Sequence, residues 1–271
     1  MLPKKIIIKK PTRKFSDTIT ITLGDVAENH VGMAKHGTEA NSGFEISDLI
    51  SAQNKFQQSG IKTQLINLNS FLPPELTAEE AAVLVIRDGL RFFDLTADKL
   101  YLEQKNLAPD TQYYDRRRKR VLNKNARHNL CFDETAQDCD IENGCGTVIA
   151  YSDVPLLQKL RNHLSSAIGP KGDKLAAEGN YYYDARMCGI GFHGDAERRR
   201  VFALRLGASI PLHYQWFHRF RPIGERVKIM LNHGDMYIMS SKAVGRDWRK
   251  SSILTLRHAA GADKYLQIRL K

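Results

Sequence analysis

The feature that most constrains the fold is the rhythm of the chain after Gly146. Short apolar-rich runs follow one another with turn residues between them: NYYYDARM, CGIGFHGD, RRVFALRLG, IPLHYQWFHRF, RVKIMLNHGD, MYIMS, SILTLRH and KYLQIRLK. Many short strands at close spacing predict a barrel, sandwich or jelly roll. One helix precedes them. In VPLLQKLRNHLSSAIG (154–169), Leu156, Leu157, Leu160 and Leu164 share a face, and Gly169 closes the helix.

The earlier chain alternates strands with helices. TITITLGD (18–25) and IKTQLINL (61–68) read as strands, and Phe44 to Gln58 has helical spacing with a stop at Gly60. TAEEAA (77–82) is expected to start a helix, with Thr77 as cap and Glu80 in the capping-box position, before the strand and turn VLVIRDGL. The expectation is an α+β protein in three parts. Residues 1–110 form an N-terminal α/β extension, and 111–145 a polar connecting segment containing DRRRKR and the acidic, cysteine-bearing CFDETAQDCDIENGC. Residues 146–271 form a mainly β C-terminal domain. The first fourteen residues, with six Lys or Arg around Ile6-Ile7-Ile8, read as a basic arm or a short edge strand.

Charge narrows the partners. Lys and Arg number 41 against 30 Asp and Glu, a formal charge of +11. That excess favours a polyanion, nucleic acid before an anionic membrane surface. No stretch approaches the ~20 apolar residues that span a bilayer, and the start has no signal-peptide pattern. Four cysteines are too few for a disulfide framework in a chain of this length. The expected location is intracellular, nuclear or cytoplasmic, away from membranes.

The chemistry is concentrated in GFHGDAERRR. On an extended strand His193 and Asp195, two apart, point to the same face. His258 ends an apolar strand in LTLRHAAG. Two His and one carboxylate, with positions left open, suit non-haem Fe(II). Arg269, in the final strand, offers a bidentate partner for a carboxylate. The runs Arg116–Arg120 and Arg198–Arg200 are candidates for phosphate contact, the first outside the β core and the second beside the metal pair.

Over roughly residues 150–271 the chain resembles the AlkB-like branch of the 2-oxoglutarate- and Fe(II)-dependent dioxygenases. His193-Gly194-Asp195-Ala196-Glu197 looks like that family's H-x-D-x-E, and Asn180-Tyr181-Tyr182 looks like its N-x-Y. LRLG (204–207) and NHGDMYIMS (232–240) resemble the strands and Gly-Asp turn that follow. The resemblance implies a double-stranded β-helix core of the jelly-roll or cupin-like kind. It implies Fe(II) on His193, Asp195 and His258, with 2-oxoglutarate as cosubstrate on Arg269, Asn180 and Tyr182. Glu197, with Arg198 and Arg199, would lie on the substrate side. The implied reaction is oxidation of a nucleic-acid base, by N-alkyl demethylation or methyl hydroxylation. Two alternatives stand beside it: a protein side-chain or small-molecule hydroxylase, and a catalytically inactive nucleic-acid-binding module.

The chain departs from the family pattern near its end. The family's W-x-H position reads Trp248-Arg249-Lys250, and its R-x-N-x-T-x-R ending keeps only the last Arg. Arg257, in LTLR (254–257), therefore competes with Arg269 for the carboxylate.

Overall fold

The computed structural model of the protein describes residues 15–268, so the basic arm expected at 1–14 and Arg269 lie outside the described residues. Alternating Thr and Ile make β1 (Thr18–Gly24), and a short hairpin follows, β2 (Val26–Glu28) with β3 (Lys35–Gly37). The amphipathic run becomes α1 (Ile46–Gln58), opened by a capping box between Glu45 and Asp48. An antiparallel pair comes next, β4 (Thr63–Asn67) and β5 (Ala82–Ile86).

The helix expected from Thr77 does not form. The Asn69 side chain donates to the carbonyls of Ala78 and Glu79 and accepts the Ala81 N–H, so it holds that segment as a non-helical lead into β5. A tertiary hydrogen-bond set overrides a local capping signal.

Then come α2 (Ala97–Lys105) and a hairpin of β6 (Gln112–Asp115) with β7 (Arg120–Asn123). They are followed by β8 (His128–Asp133), β9 (Val148–Ala150) and α3 (Pro155–Ile168). The expected strand series appears as β10 (Ala176–Tyr182), β11 (Gly189–His193), β12 (Val201–Gly207), β13 (Ile210–His218), β14 (Arg221–Leu231) and β15 (Met236–Met239). The described chain ends with α4 (Ser241–Val244), β16 (Thr255–Gly261) and α5 (Asp263–Leu266), so the start of KYLQIRLK, expected as a last strand, forms a helical turn instead.

These elements build an α+β, strand-rich molecule. An eight-stranded sheet runs β4-β5-β15-β12-β1-β10-β8-β9, and a four-stranded sheet runs β11-β16-β13-β14. Period two decides which side chain meets which layer. Ile19, Ile21 and Leu23 of β1 pack with Leu49 and Phe56 of α1 and Leu157 and Leu164 of α3 in one core. A second core joins Val83, Val85 and Ala203 of the large sheet to Tyr214, Trp216 and Leu256 of the small one. The large sheet is thus covered on both faces, which explains the unbroken apolar run of β5.

The expected divisions near residues 110 and 145 are not divisions of this sheet. β1 lies between β10 and β12, β5 pairs with β15, and β8 pairs with β10. Among the described residues no helix is long and apolar enough to cross a membrane.

Candidate metal centre

The site begins with an irregularity in a strand pair. β11 and β16 pair Gly189 with Gly261 and Ile190 with Ala260, and then His193 with His258. β11 therefore carries one extra residue, a bulge, which re-aims the end of the strand. It sets the two imidazoles against each other with ring centroids 4.4 Å apart.

Asp195 lies beyond the strand rather than on it, so the same-face argument is replaced by a loop fixed from outside. Its N–H donates to Val244 O at 3.0 Å. A Cβ on Gly194 would collide with the backbone of Gly245, so only glycine lets the loop lie this close to the end of α4. The result brings the three expected ligands together. One donor atom from each of His193, Asp195 and His258 lies within 4.8 Å of the others.

The protonation pattern suits a cation. His193 Nδ1 lies 2.8 Å from Gly191 O, and a carbonyl can only accept, so Nδ1 carries the proton. His193 Nε2 is thereby turned toward Asp195 Oδ1 at 3.5 Å, and His258 Nε2 sits at the same distance from that oxygen. Burial, then the neighbouring His193, pushes the His258 pKa below its ordinary value and keeps that ring neutral. Burial alone would raise the Asp195 carboxyl. Arg198 and the two histidines outweigh it and hold Asp195 well below the usual carboxylate range. Two imidazole nitrogens and a carboxylate gathered this closely share a proton or a metal ion, and two imidazoles with one carboxylate are a ready set of transition-metal ligands.

The cluster opens onto a cavity of about 780 Å³ between the two sheets, within the ~300–1,000 Å³ typical of ligand clefts. Its floor is the inner face of the large sheet: Thr20 and Thr22 of β1, Asn180 and Tyr182 of β10, Arg205 of β12 and Tyr237 of β15. Burial raises the Tyr182 and Tyr237 pKa values, so both hydroxyls stay protonated. Asn180 already takes bonds from Arg127 and Asn129 and donates to Glu178.

Arg205 is the residue that sequence reasoning missed. It is 1% exposed, its Nη1 donates to Thr20 Oγ1 at 2.6 Å, and among the described residues its Nε has no partner. The signal was available, because Arg205 is the one charge in the otherwise apolar β12 segment VFALRLG. Arg257 does not line the cavity. Its guanidinium lies 4.0 Å from the Phe217 ring centroid and 5.3 Å from that of Trp248.

Of the arginines after the His193–Asp195 pair only Arg198 is buried, but all three are held by other parts of the chain. Arg198 is 4% exposed and binds Glu178 at 2.5 Å and Glu197 at 2.7 Å, with its Nε 3.7 Å from Asp195 Oδ2. Arg199 pairs with Glu39, and Arg200 donates to the carbonyls of Ser42 and Lys171. Their N–H groups both bind Asp25 Oδ1. This run braces Asp195 and Glu197 and ties the loop to the N-terminal strands. It does not form a free cationic face, and of the three only Arg198 lines the cavity, together with Glu197.

Fold and site together define a class: a strand-rich α+β protein with a two-histidine, one-carboxylate cluster in a cavity between stacked sheets. No protein-family model matches the chain. Over 256 residues it is 44% identical to an uncharacterized protein of Acanthamoeba polyphaga mimivirus, covering 94% of this chain and 99% of the viral one. The chain belongs to the family of that viral protein. The overlap runs nearly the full length of both, so the segment before residue 110 is part of what the family shares.

Proposed function

We propose that the protein is an AlkB-like, Fe(II)- and 2-oxoglutarate-dependent oxygenase that oxidises a base in nucleic acid, by N-alkyl demethylation or methyl hydroxylation. The observation that carries this reading is the convergence of His193 Nε2, Asp195 Oδ1 and His258 Nε2 on the cavity that holds the buried Arg205.

Strand order supports it. From β10 to β16 the chain visits the large sheet, the small, the large, the small twice, the large and the small. That order is consistent with the winding of a double-stranded β-helix that lacks its final large-sheet strand. The vacant place, between β10 and β12, is filled by β1 from the other end of the chain. A permuted jelly roll of this kind also accounts for the missing R-x-N-x-T-x-R ending, because the eighth position carries TITITLG instead.

The residues then divide the work. His193, Asp195 and His258 would hold the iron on one side and leave its other positions open. Iron and 2-oxoglutarate, when bound, supply the oxidising chemistry that breaks a substrate C–H bond. Arg205 would take the far carboxylate of the cosubstrate, giving its unpartnered Nε an acceptor. Tyr182, kept protonated, can donate to the same molecule. Arg198 keeps Asp195 anionic and fixes Glu197 at the cavity wall. A base stacked in a duplex cannot reach a metal at this depth, so it must be flipped out or presented on a single strand.

The test is anaerobic Fe(II) binding, followed by turnover with 2-oxoglutarate and a panel of modified oligonucleotides read by mass spectrometry. Wild-type protein should bind one iron and release succinate, and Asp195→Ala should lose both while keeping the circular dichroism of the native fold. Near-normal turnover in Asp195→Ala would remove the metal assignment. Succinate release with no oligonucleotide product would move the substrate to protein or small molecules.

A further inference from the structure

The turn of the β6–β7 hairpin is the strongest feature that the metal centre leaves unexplained. All four of its residues, Arg116, Arg117, Arg118 and Lys119, are cationic and exposed, and Arg120 extends the run into β7. Tight turns usually place Gly or Asn where the backbone turns left-handed, yet here Lys119 sits at φ 50°. Asp115 answers part of the charge, accepting the Arg118 N–H at 2.9 Å with a carboxylate oxygen 4.0 Å from its Nε. Among the described residues Arg116, Arg117, Lys119 and Arg120 form no ion pair within 4.0 Å. Clustered like charges repel, and solvent and salt only screen that repulsion. A polyanion laid along the turn would reverse it.

The hairpin stands at the mouth of the metal cavity. Its Tyr113 stacks on His30 with ring centroids 3.7 Å apart, and His30 and Arg116 both line the cavity. Arg116 Cδ lies 3.8 Å from the position of a Cβ on Gly32, another lining residue. The loop after α4 contributes Trp248 and the exposed Arg249 to the same cavity, the guanidinium 5.1 Å from the indole ring. The Arg198–Arg200 run, the other cationic stretch near the metal, is already held by internal carboxylates and carbonyls. The turn carries no apolar residue to bury in a lipid surface, which membrane-binding segments supply. Guanidinium groups with an aromatic face nearby match phosphates beside unstacked bases.

We infer that the β6–β7 hairpin grips the phosphates of a nucleic-acid strand and delivers its base to the cavity, which rests on the nucleic-acid reading proposed above. The contact itself needs neither iron nor cosubstrate, so it can be measured apart from turnover. The experiment is fluorescence anisotropy of a labelled, unmodified single-stranded 20-mer, as DNA and as RNA, titrated with metal-free full-length protein across a salt series. Arg117→Glu with Arg118→Glu should weaken binding at least tenfold. It should also flatten the log–log salt slope by roughly 0.7 per lost phosphate contact. Lys62→Glu with Lys99→Glu makes the same change in net charge at exposed sites elsewhere, and should cost less than threefold. Arg117→Gln with Arg118→Gln, which leaves no new repulsion, should fall between the two. Equal losses in the hairpin and control pairs would overturn the inference, as would wild-type affinity in the hairpin pair. Wild-type binding to phosphatidylserine vesicles but to no oligonucleotide would overturn it too. Iron binding and substrate-free turnover of 2-oxoglutarate in the same variants report on the oxygenase reading separately, since neither Arg117 nor Arg118 lines the cavity.

Discussion

At the scale of single residues, the most informative side chain is Arg205. A guanidinium that is 1% exposed with an unpartnered Nε is costly unless an anion shares its surroundings, and burial pulls its pKa down from the ordinary arginine value. The described carbonyls and carboxylates leave that N–H free, while Thr20 and the two protonated tyrosines shape polar space around it. Arg257 is the contrasting case. Among the described residues it too has unpartnered nitrogens, but its environment is the aromatic set Phe217, Phe220 and Trp248, which favours a cation without any ligand. Replacing Arg205 with Leu should therefore raise the apparent 2-oxoglutarate requirement roughly ten- to hundredfold, the ratio equivalent to about 1.5–3 kcal/mol for a charge-assisted bond. Arg257→Leu should stay within threefold, and iron affinity should be unchanged in both. Equilibrium dialysis of labelled 2-oxoglutarate against the iron-loaded variants checks this, and the opposite ranking would make Arg257 the anchor.

At the scale of elements, β1 decides how the molecule is divided. It pairs with β10 along Thr18–Gly24 and with β12 along Thr18–Leu23, so removing it opens two unpaired edges inside the large sheet. It would also uncover the apolar surface that Ile19, Ile21 and Leu23 share with the helices. A fragment of residues 146–271 should consequently fail to fold alone, giving no dispersed amide spectrum, although it contains all three proposed iron ligands. Addition of a fragment spanning 1–145 should restore cooperative unfolding. A stably folded 146–271 fragment would show that the core is self-sufficient without β1. Sequence alone made β1, α1, β4, β5, α3 and the C-terminal strands as far as β16 legible, because each has a local period and a local stop, whereas KYLQIRLK, expected as a strand, begins as the helical turn α5. It also singled out His193, Asp195 and His258, which the fold brings within 4.8 Å of one another, since few residue types make a metal set. The place of β1 in the sheet was not legible, because pairing partners more than 150 positions apart leave no local trace. The arginines at 198–200 likewise look like a free basic face, because Glu39 lies 160 positions from its partner Arg199 and Glu178 lies 20 from Arg198.

At the scale of the whole molecule, burial makes the fold sensitive to mild acid. His30, His36, His128, His213 and His258 all have pKa values pulled below the ordinary 6.5, first by burial, and His30 falls to about 4. Cationic neighbours add to this, with Lys124 and Arg127 beside His30 and Arg226 and Lys228 beside His213. The sign follows from proton counting. Well above pH 6.5 neither folded nor unfolded chain protonates these rings, and they add no pH dependence. Below it the unfolded chain takes up protons that the folded chain refuses, so unfolding free energy falls as pH falls. Each ring that stays fully neutral contributes at most about 1.4 kcal/mol per pH unit, and half-exposed His36 and His128 contribute less because water screens them. Asp195 pushes in the same direction at lower pH, since its depressed pKa stabilises the fold above the ordinary carboxylate value and that stability is lost as pH drops toward the folded one. Metal-free protein should therefore show a urea midpoint that is level near pH 7, below the titration of Lys124, whose pKa burial lowers to about 8, and that declines steadily between pH 6.5 and 5, before the ordinary carboxylates titrate. Iron should move the decline to lower pH, because occupied His193 and His258 nitrogens must lose the metal before they take a proton. A midpoint that holds steady down to pH 5 in chelator would mean that these histidines protonate in place at no cost, and that the polar interior of the sandwich is wetter than its geometry implies.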